Sequence, residues 1–349
     1  MKKHYFLILI VLGFYSCQKE ISDTAARTTE VDVYVAGYES NDAGVTVAKY
    51  WKNGHAISLT DGTREAFSFP SITVVGSDVY VAGGEFESFN GGLTNYVAKY
   101  WKNGVAVPLT SVANWSTAYS IAVVGSDVYV AGDGVGDVAG YWKNGQPIAL
   151  GKTHWSVARG IAVVGSDVYV SGAEIWGSSV NYGAIYWKNG QAIALTDGTK
   201  YSWTTSIAVA GKDVYVAGVE VEINGSVDVA KYWKNGQAIA LADGTKESYS
   251  NSIVVVGSDV YVAGFENNGS SDVAKYWKNG IPVNLSDGTK NEYASSITVS
   301  GTDVYVAGSE EKTAGSFGYV AKYWKNGIPI ILGDVSKYSG ANSIFLAKK

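Results

Sequence analysis

The chain has 349 residues, 46% of them apolar, with 25 Tyr, 11 Trp, one cysteine and a net charge of −5. A mildly acidic chain without a basic run argues against a nucleic-acid partner, which needs positive charge to neutralise phosphates. A single cysteine excludes an internal disulfide and a thiolate metal cluster.

Residues 1–16 read as an export signal: Lys2-Lys3, then an apolar run from Tyr5 to Tyr15. That run is shorter than the ~20 residues a permanent membrane helix needs. It ends at Ser16-Cys17, and this resembles a bacterial lipoprotein signal, which implies lipidation of Cys17. Gln18-Lys19-Glu20 resembles the surface-export signals of Bacteroidota lipoproteins. An ordinary secretory signal with an incidental cysteine is the alternative. Residues 17–30 then serve as the lipidated cysteine and a polar tether.

From Val31 a unit recurs, cleanest in Ser252–Gly288. Its first mark, Asp-Val-Tyr-Val-Ala-Gly with Ser for Ala in the fourth copy, begins at Asp32, Asp78, Asp127, Asp167, Asp213, Asp259 and Asp303, 40 to 49 residues apart. Its second, Tyr-Trp-Lys-Asn-Gly, begins at Tyr50, Tyr100, Tyr141, Tyr186, Tyr232, Tyr276 and Tyr323. Each copy splits into four strands. The innermost reads Ser-Ile-x-Val-x-Gly, and a Gly-Ser pair turns it into the second strand with Gly where a type II′ hairpin wants it. A variable loop leads to the third strand, and Asn-Gly makes the next tight turn before a short apolar fourth strand. Apolar and aromatic residues on both alternation classes fit blades covered on both faces. The predicted fold is all-β: a seven-bladed β-propeller over residues 31–349, four antiparallel strands per blade. The first copy lacks an innermost strand, and Ser343–Leu346 is an innermost strand with nothing after it, so the C-terminal strand should complete the first blade and close the ring.

In outline the repeat resembles kelch-type propellers, with their glycine-ended second strand, Tyr and Trp on the third and an apolar fourth. That group includes binding modules and copper oxidases. The oxidases use a cysteine cross-link, and Cys17 is the only cysteine here, so their activity is not carried over. No cofactor or metal is expected.

Alternating strand direction puts both tight turns on one face and both variable loops on the other. Loops on a rigid scaffold carry function more often than the scaffold does, so the variable-loop face is the candidate. Glu39, Glu85, Glu174, Glu220, Glu266 and Glu310 end second strands, and Lys49, Lys99, Lys231, Lys275 and Lys322 sit in third strands. They read as a carboxylate ring for cations or acid/base work, or as a repeated cross-strand ion pair. The third copy lacks both partners at once, with Gly134 and Gly140 there, which favours the pair.

Seven tryptophans belong to the repeat. The other four, Trp115, Trp155, Trp176 and Trp203, fall in predicted variable-face loops, with His154 and Arg159 in the same loop as Trp155. Flat rings suit the apolar faces of sugars, and an Arg or His can bond hydroxyls or carboxylates. One aromatic per blade junction could equally plug the seam, as Phe67, Tyr249, Tyr293 and Tyr338 would elsewhere. The sequence-level expectation is a monomeric binding module, lipid-anchored at the outer membrane and cell surface, for a glycan or protein ligand. A glycan hydrolase or lyase and a structural subunit of an outer-membrane complex are its rivals.

Overall fold

The computed structural model describes residues 30–349 apart from 67–69, 90–92, 112–114, 136–137, 153–155, 176–180, 222–226 and 317. Cys17 and the leader therefore lie outside the described residues. The described chain folds into seven four-stranded antiparallel sheets arranged as the blades of a propeller. The innermost strands are Ser71–Val75 in blade 2, Thr117–Val124 in blade 3, Ser156–Val164 in blade 4, Ser202–Ala210 in blade 5, Ser248–Val256 in blade 6 and Glu292–Ser300 in blade 7. Blade 1 takes its innermost strand from the C-terminus: Ser339–Lys348 pairs with Val31–Ser40, Tyr34 opposite Phe345. The ring closes as the end copies imply.

Local chemistry accounts for the hairpins. The glycine of each Gly-Ser turn is left-handed, as at Gly257 (φ 61°), and the following serine is not, which is the type II′ pattern. Both residues of each Asn-Gly turn are left-handed, as at Asn279 (φ 52°) and Gly280 (φ 82°), which is type I′. Asn279 also caps the turn, its Oδ1 accepting from the Val260 amide at 2.8 Å and its Nδ2 donating to Asp259 at 2.9 Å. Asp259 receives Lys278 at 2.8 Å, and Lys278 sits over the Tyr261 ring. The Asp–Asn–Lys–Tyr cluster recurs in every blade.

The core lies in the seams between blades. The tryptophan of each Tyr-Trp-Lys-Asn-Gly run is at most 2% exposed. Trp233 of blade 5, for example, packs against Tyr169, Ala184 and Tyr186 of blade 4. The glycine ending each second-strand mark is required by that packing. A Cβ on Gly264 would lie 1.8 Å from the Tyr249 carbonyl oxygen and 3.1 Å from the Trp277 ring.

Candidate functional site

The inner strands do not run in unbroken register. In blades 1 and 3–7 each carries a β-bulge just before its Ser-Ile pair (Gly-Ile in blade 4), leaving one residue unpaired. Those residues are Asn342, Tyr119, Arg159, Thr205, Asn251 and Ser295. A bulge bends its strand and re-aims a side chain, and all six line one cavity at the propeller axis, on the variable-loop face, of about 600 Å³. The bulge also explains the glycine of the second strand. In six blades the displaced inner-strand carbonyl stands 1.8–2.2 Å from where that glycine's Cβ would be.

Below the bulge residues the funnel is ringed by Ser71, Ser120, Ser206, Ser252, Ser296 and Ser343, with Gly160 in the seventh place. Five of these hydroxyls accept a hydrogen bond from the isoleucine amide of the next blade, at 3.2–3.3 Å, as Ser252 does from Ile297. Thr205 and Asn251 tie blade to blade higher up, bonding the Ser250 and Ala294 carbonyls.

The funnel has two unlike walls. On blades 5, 6, 7 and 1, Trp203, Phe265, Tyr293 and Tyr38 face the cavity. They belong to a continuous aromatic arc in which Tyr249, Tyr319 and Tyr338 stand between them, neighbouring centroids 4.8–6.3 Å apart. Hydrogen bonds hold the arc: Tyr249 donates to Asp228, and Tyr293 donates to Asp272 at 2.9 Å. On blades 3 and 4 the wall is polar. The Arg159 guanidinium lies over the Tyr119 ring, 4.3 Å from its centroid, and Tyr119 donates to Asp133 Oδ2 at 3.2 Å. Asp133 Oδ1 is buried without a hydrogen bond among the described residues. Burial raises the Asp133 pKa above the usual carboxylate range, while the nearby Arg159 charge pulls it partly back.

The predicted site residues separate. Trp203 and Arg159 are not in loops: inner strands start several residues before the Ser-Ile mark, and both are strand residues lining the funnel. Extra ladder pairs above the bulge lengthen these strands. Trp115 is 58% exposed and sits outside the funnel, edge-on to Tyr96 at 4.9 Å and to Phe86 at 6.1 Å. It therefore does not converge with Trp203. His154, Trp155 and Trp176 lie outside the described residues.

The glutamates and lysines are ion pairs. Glu39–Lys49 (2.6 Å), Glu85–Lys99 (2.9 Å), Glu220–Lys231 (2.8 Å) and Glu310–Lys322 (2.6 Å) close across the strands, as does Glu266–Lys275. Glu174, opposite Gly183 and without a lysine, accepts from the Lys152 amide at 2.6 Å. The 266–272 loop is a polar turn, with Asn268 Oδ1 accepting from the Ser270 and Ser271 amides. Among the described residues no three His, Cys, Asp or Glu side chains gather as a metal site.

Of the bulge residues sequence reasoning singled out Arg159 alone, and it passed over Tyr119, Thr205, Asn251, Ser295, Asn342 and the nearby Asp133. The signal was present. The residue before each Ser-Ile or Gly-Ile pair varies freely between near-constant neighbours, and Asp133 is the only acid directly after the glycine that ends an Asp-Val-Tyr-Val-Ala-Gly mark.

No family model matches the chain, and no curated protein matches it. Solved structures do share its fold. The β-propeller domain of the Trilobed protease from Pyrococcus furiosus, described as having an open velcro topology, superposes with a TM-score of 0.56 at 12% identity, over 88% of this chain and 96% of that one. A puromycin-hydrolysing peptidase of Mycobacterium tuberculosis gives 0.57 at 9% identity, over 88% of this chain and 53% of that one. An acylaminoacyl peptidase in complex with a chloromethyl ketone gives 0.52 at 14% identity, over 87% and 51%. This chain thus spans about half the length of the two peptidases. At these identities the likeness shows the fold, and the chain is a seven-bladed β-propeller.

Proposed function

We propose that the chain is a cell-surface binding propeller, held by a lipid on Cys17, that takes a glycan into the funnel of its variable-loop face. The observation that carries this reading is the pairing of an aromatic wall with a ring of hydroxyls and amides around one open cavity. Sugars present an apolar ring face and a belt of hydroxyls, and the funnel offers a partner for each. Its volume falls in the range of roughly 300–1,000 Å³ usual for small-ligand sites. Kelch-like kinship and the outer-membrane location belong to the same reading.

The test is binding of purified protein to a glycan panel. Trp203→Ala should weaken retention about tenfold or more, while Trp115→Ala, outside the funnel, should leave it unchanged. Equal losses in the two variants would overturn the assignment of the site. Replacing Cys17 with Ser should release the protein from the membrane fraction, and continued sedimentation with membranes would remove the anchor from the proposal.

A hydrolytic role is the second reading, prompted by the protease and peptidase structures on which this chain superposes. Release of product from peptide or glycan substrates by the purified chain would establish it in place of simple binding.

A further inference from the structure

We infer that the Arg159–Gly160 notch in the funnel wall is an anion subsite, and that the glycan taken by this protein is an acidic one, with a carboxylate seated there. This rests on the glycan reading above and adds its substrate class.

Three features of blades 4 and 5 converge. Arg159 is the only charged side chain lining the funnel among the described residues. It is exposed, and among those residues it forms no ion pair within 4 Å. It is nonetheless held in place, stacked on Tyr119, whose hydroxyl is fixed by Asp133. A guanidinium held over a ring by its charge still has N–H donors to offer, and its planar fork suits a carboxylate through two bonds. Asp133 interacts electrostatically with Arg159 but is not within ion-pair distance of it among the described residues.

The second feature is the break in the serine ring. At five of the seams the ring serine accepts from the isoleucine amide of the next blade, as Ser206 does from Ile253. The amide equivalent to this at the blade 4–5 seam is Ile207, and it meets Gly160, which has no hydroxyl to offer. One backbone donor is thereby left at the funnel wall, on the residue stretch adjoining Arg159.

The third is that the exception is built in, not a simple loss. A Cβ at position 160 would lie 2.8 Å from Ser171 Oγ. Ser171 stands where every other copy has alanine. Blade 4 has therefore exchanged a Ser/Ala pair for a Gly/Ser pair. The exchange leaves no ring hydroxyl at position 160, next in sequence to the one charged side chain of the described funnel lining, and the Ile207 amide lies 3.2 Å from where a Cβ would stand. A carboxylate has two oxygens, and the notch presents an arginine fork and an amide. Across the funnel, Trp203 and Phe265 offer a face to the sugar ring that carries it.

The experiment compares a galacturonic-acid oligosaccharide with its carboxyl methyl ester by calorimetric titration of the intact propeller. The wild type should prefer the free acid by at least about tenfold, the weight of a charge-assisted hydrogen bond. Arg159→Gln should abolish that preference while leaving ester binding in place. The double variant Gly160→Ser with Ser171→Ala restores the pair used by the other blades, so its thermal midpoint should hold while acid binding falls. Equal binding of acid and ester by the wild type would overturn the anion subsite and leave the glycan reading standing. A preference for the acid that survives Arg159→Gln would also overturn it. Binding of neither compound, with retention of neutral glycans from the panel, would refute the acidic class alone. No glycan retained at all would refute both readings.

Discussion

Asp127 and Asp133 occupy opposite ends of one strand in blade 3, Asp127–Val135, and live in opposite environments. Asp127, on the tight-turn face, is held below the usual carboxylate range by the Asn144 amide and the Lys143 ammonium. Asp133, on the variable-loop face, is pushed above it by burial. Asp127 has a counterpart in every blade, and Asp133 has none. The contrast extends to the whole molecule. The tight-turn face is the same cluster seven times over and holds the blades' hairpins, whereas the opposite face is where the copies diverge around a common cavity. Repetition marks what stabilises this ring, and departure from it marks the lining of the cavity.

The sharpest break of that comparison is in the repeated scaffold. Trp277→Ala empties a fully buried site, and should cost about 3–5 kcal/mol in denaturant unfolding. A small shift of the midpoint would mean the seams are not the core. Asn279→Ala is a milder break, forcing a left-handed backbone on a residue that resists it and removing the cap on Val260, at about 1–2 kcal/mol. Asn279→Gly should recover part of this, because glycine accepts that φ freely. Both effects should appear without change in ligand selectivity.

The smallest effect is the one that separates the faces by pH. Asp127 has a lowered folded pKa, so its contribution is present above the ordinary value of 3.8 and lost as pH falls through the folded value. Asp133 has a raised folded pKa, so its contribution is present below 3.8 and lost as pH rises through the folded value. Asp133→Asn should therefore be more stable than the wild type at neutral pH, with the gain vanishing in acid. Asp127→Asn should be less stable at neutral pH, with the difference again closing in acid. Thermal midpoints across a pH series would show the two signs, and like signs would undo the distinction.

Much of the fold was legible because its determinants are local. Gly257-Ser258 and Asn279-Gly280 specify hairpins through the φ each residue tolerates, and the alternation around Tyr261 and Trp277 specifies strands with two covered faces. The Glu–Lys pairs could be read from the joint absence at Gly134 and Gly140. The site was legible only in part. Arg159 and Trp203 were identifiable as exceptions to the repeat, but both were expected in loops. The same reasoning grouped Trp115 with Trp203, and the fold separates them.

The sequence by itself determined the number of blades, the strand order within each and the two hairpin turns, because each follows from residues adjacent in the chain. It also determined which strand would close the ring, since the missing and surplus strands sit at the two ends. Only the tertiary structure decided the funnel. A β-bulge shifts register without disturbing the apolar pattern on either side of it, so periodicity cannot reveal it. The side chains it re-aims meet only when blades some 40–49 residues apart in sequence are curved around one axis.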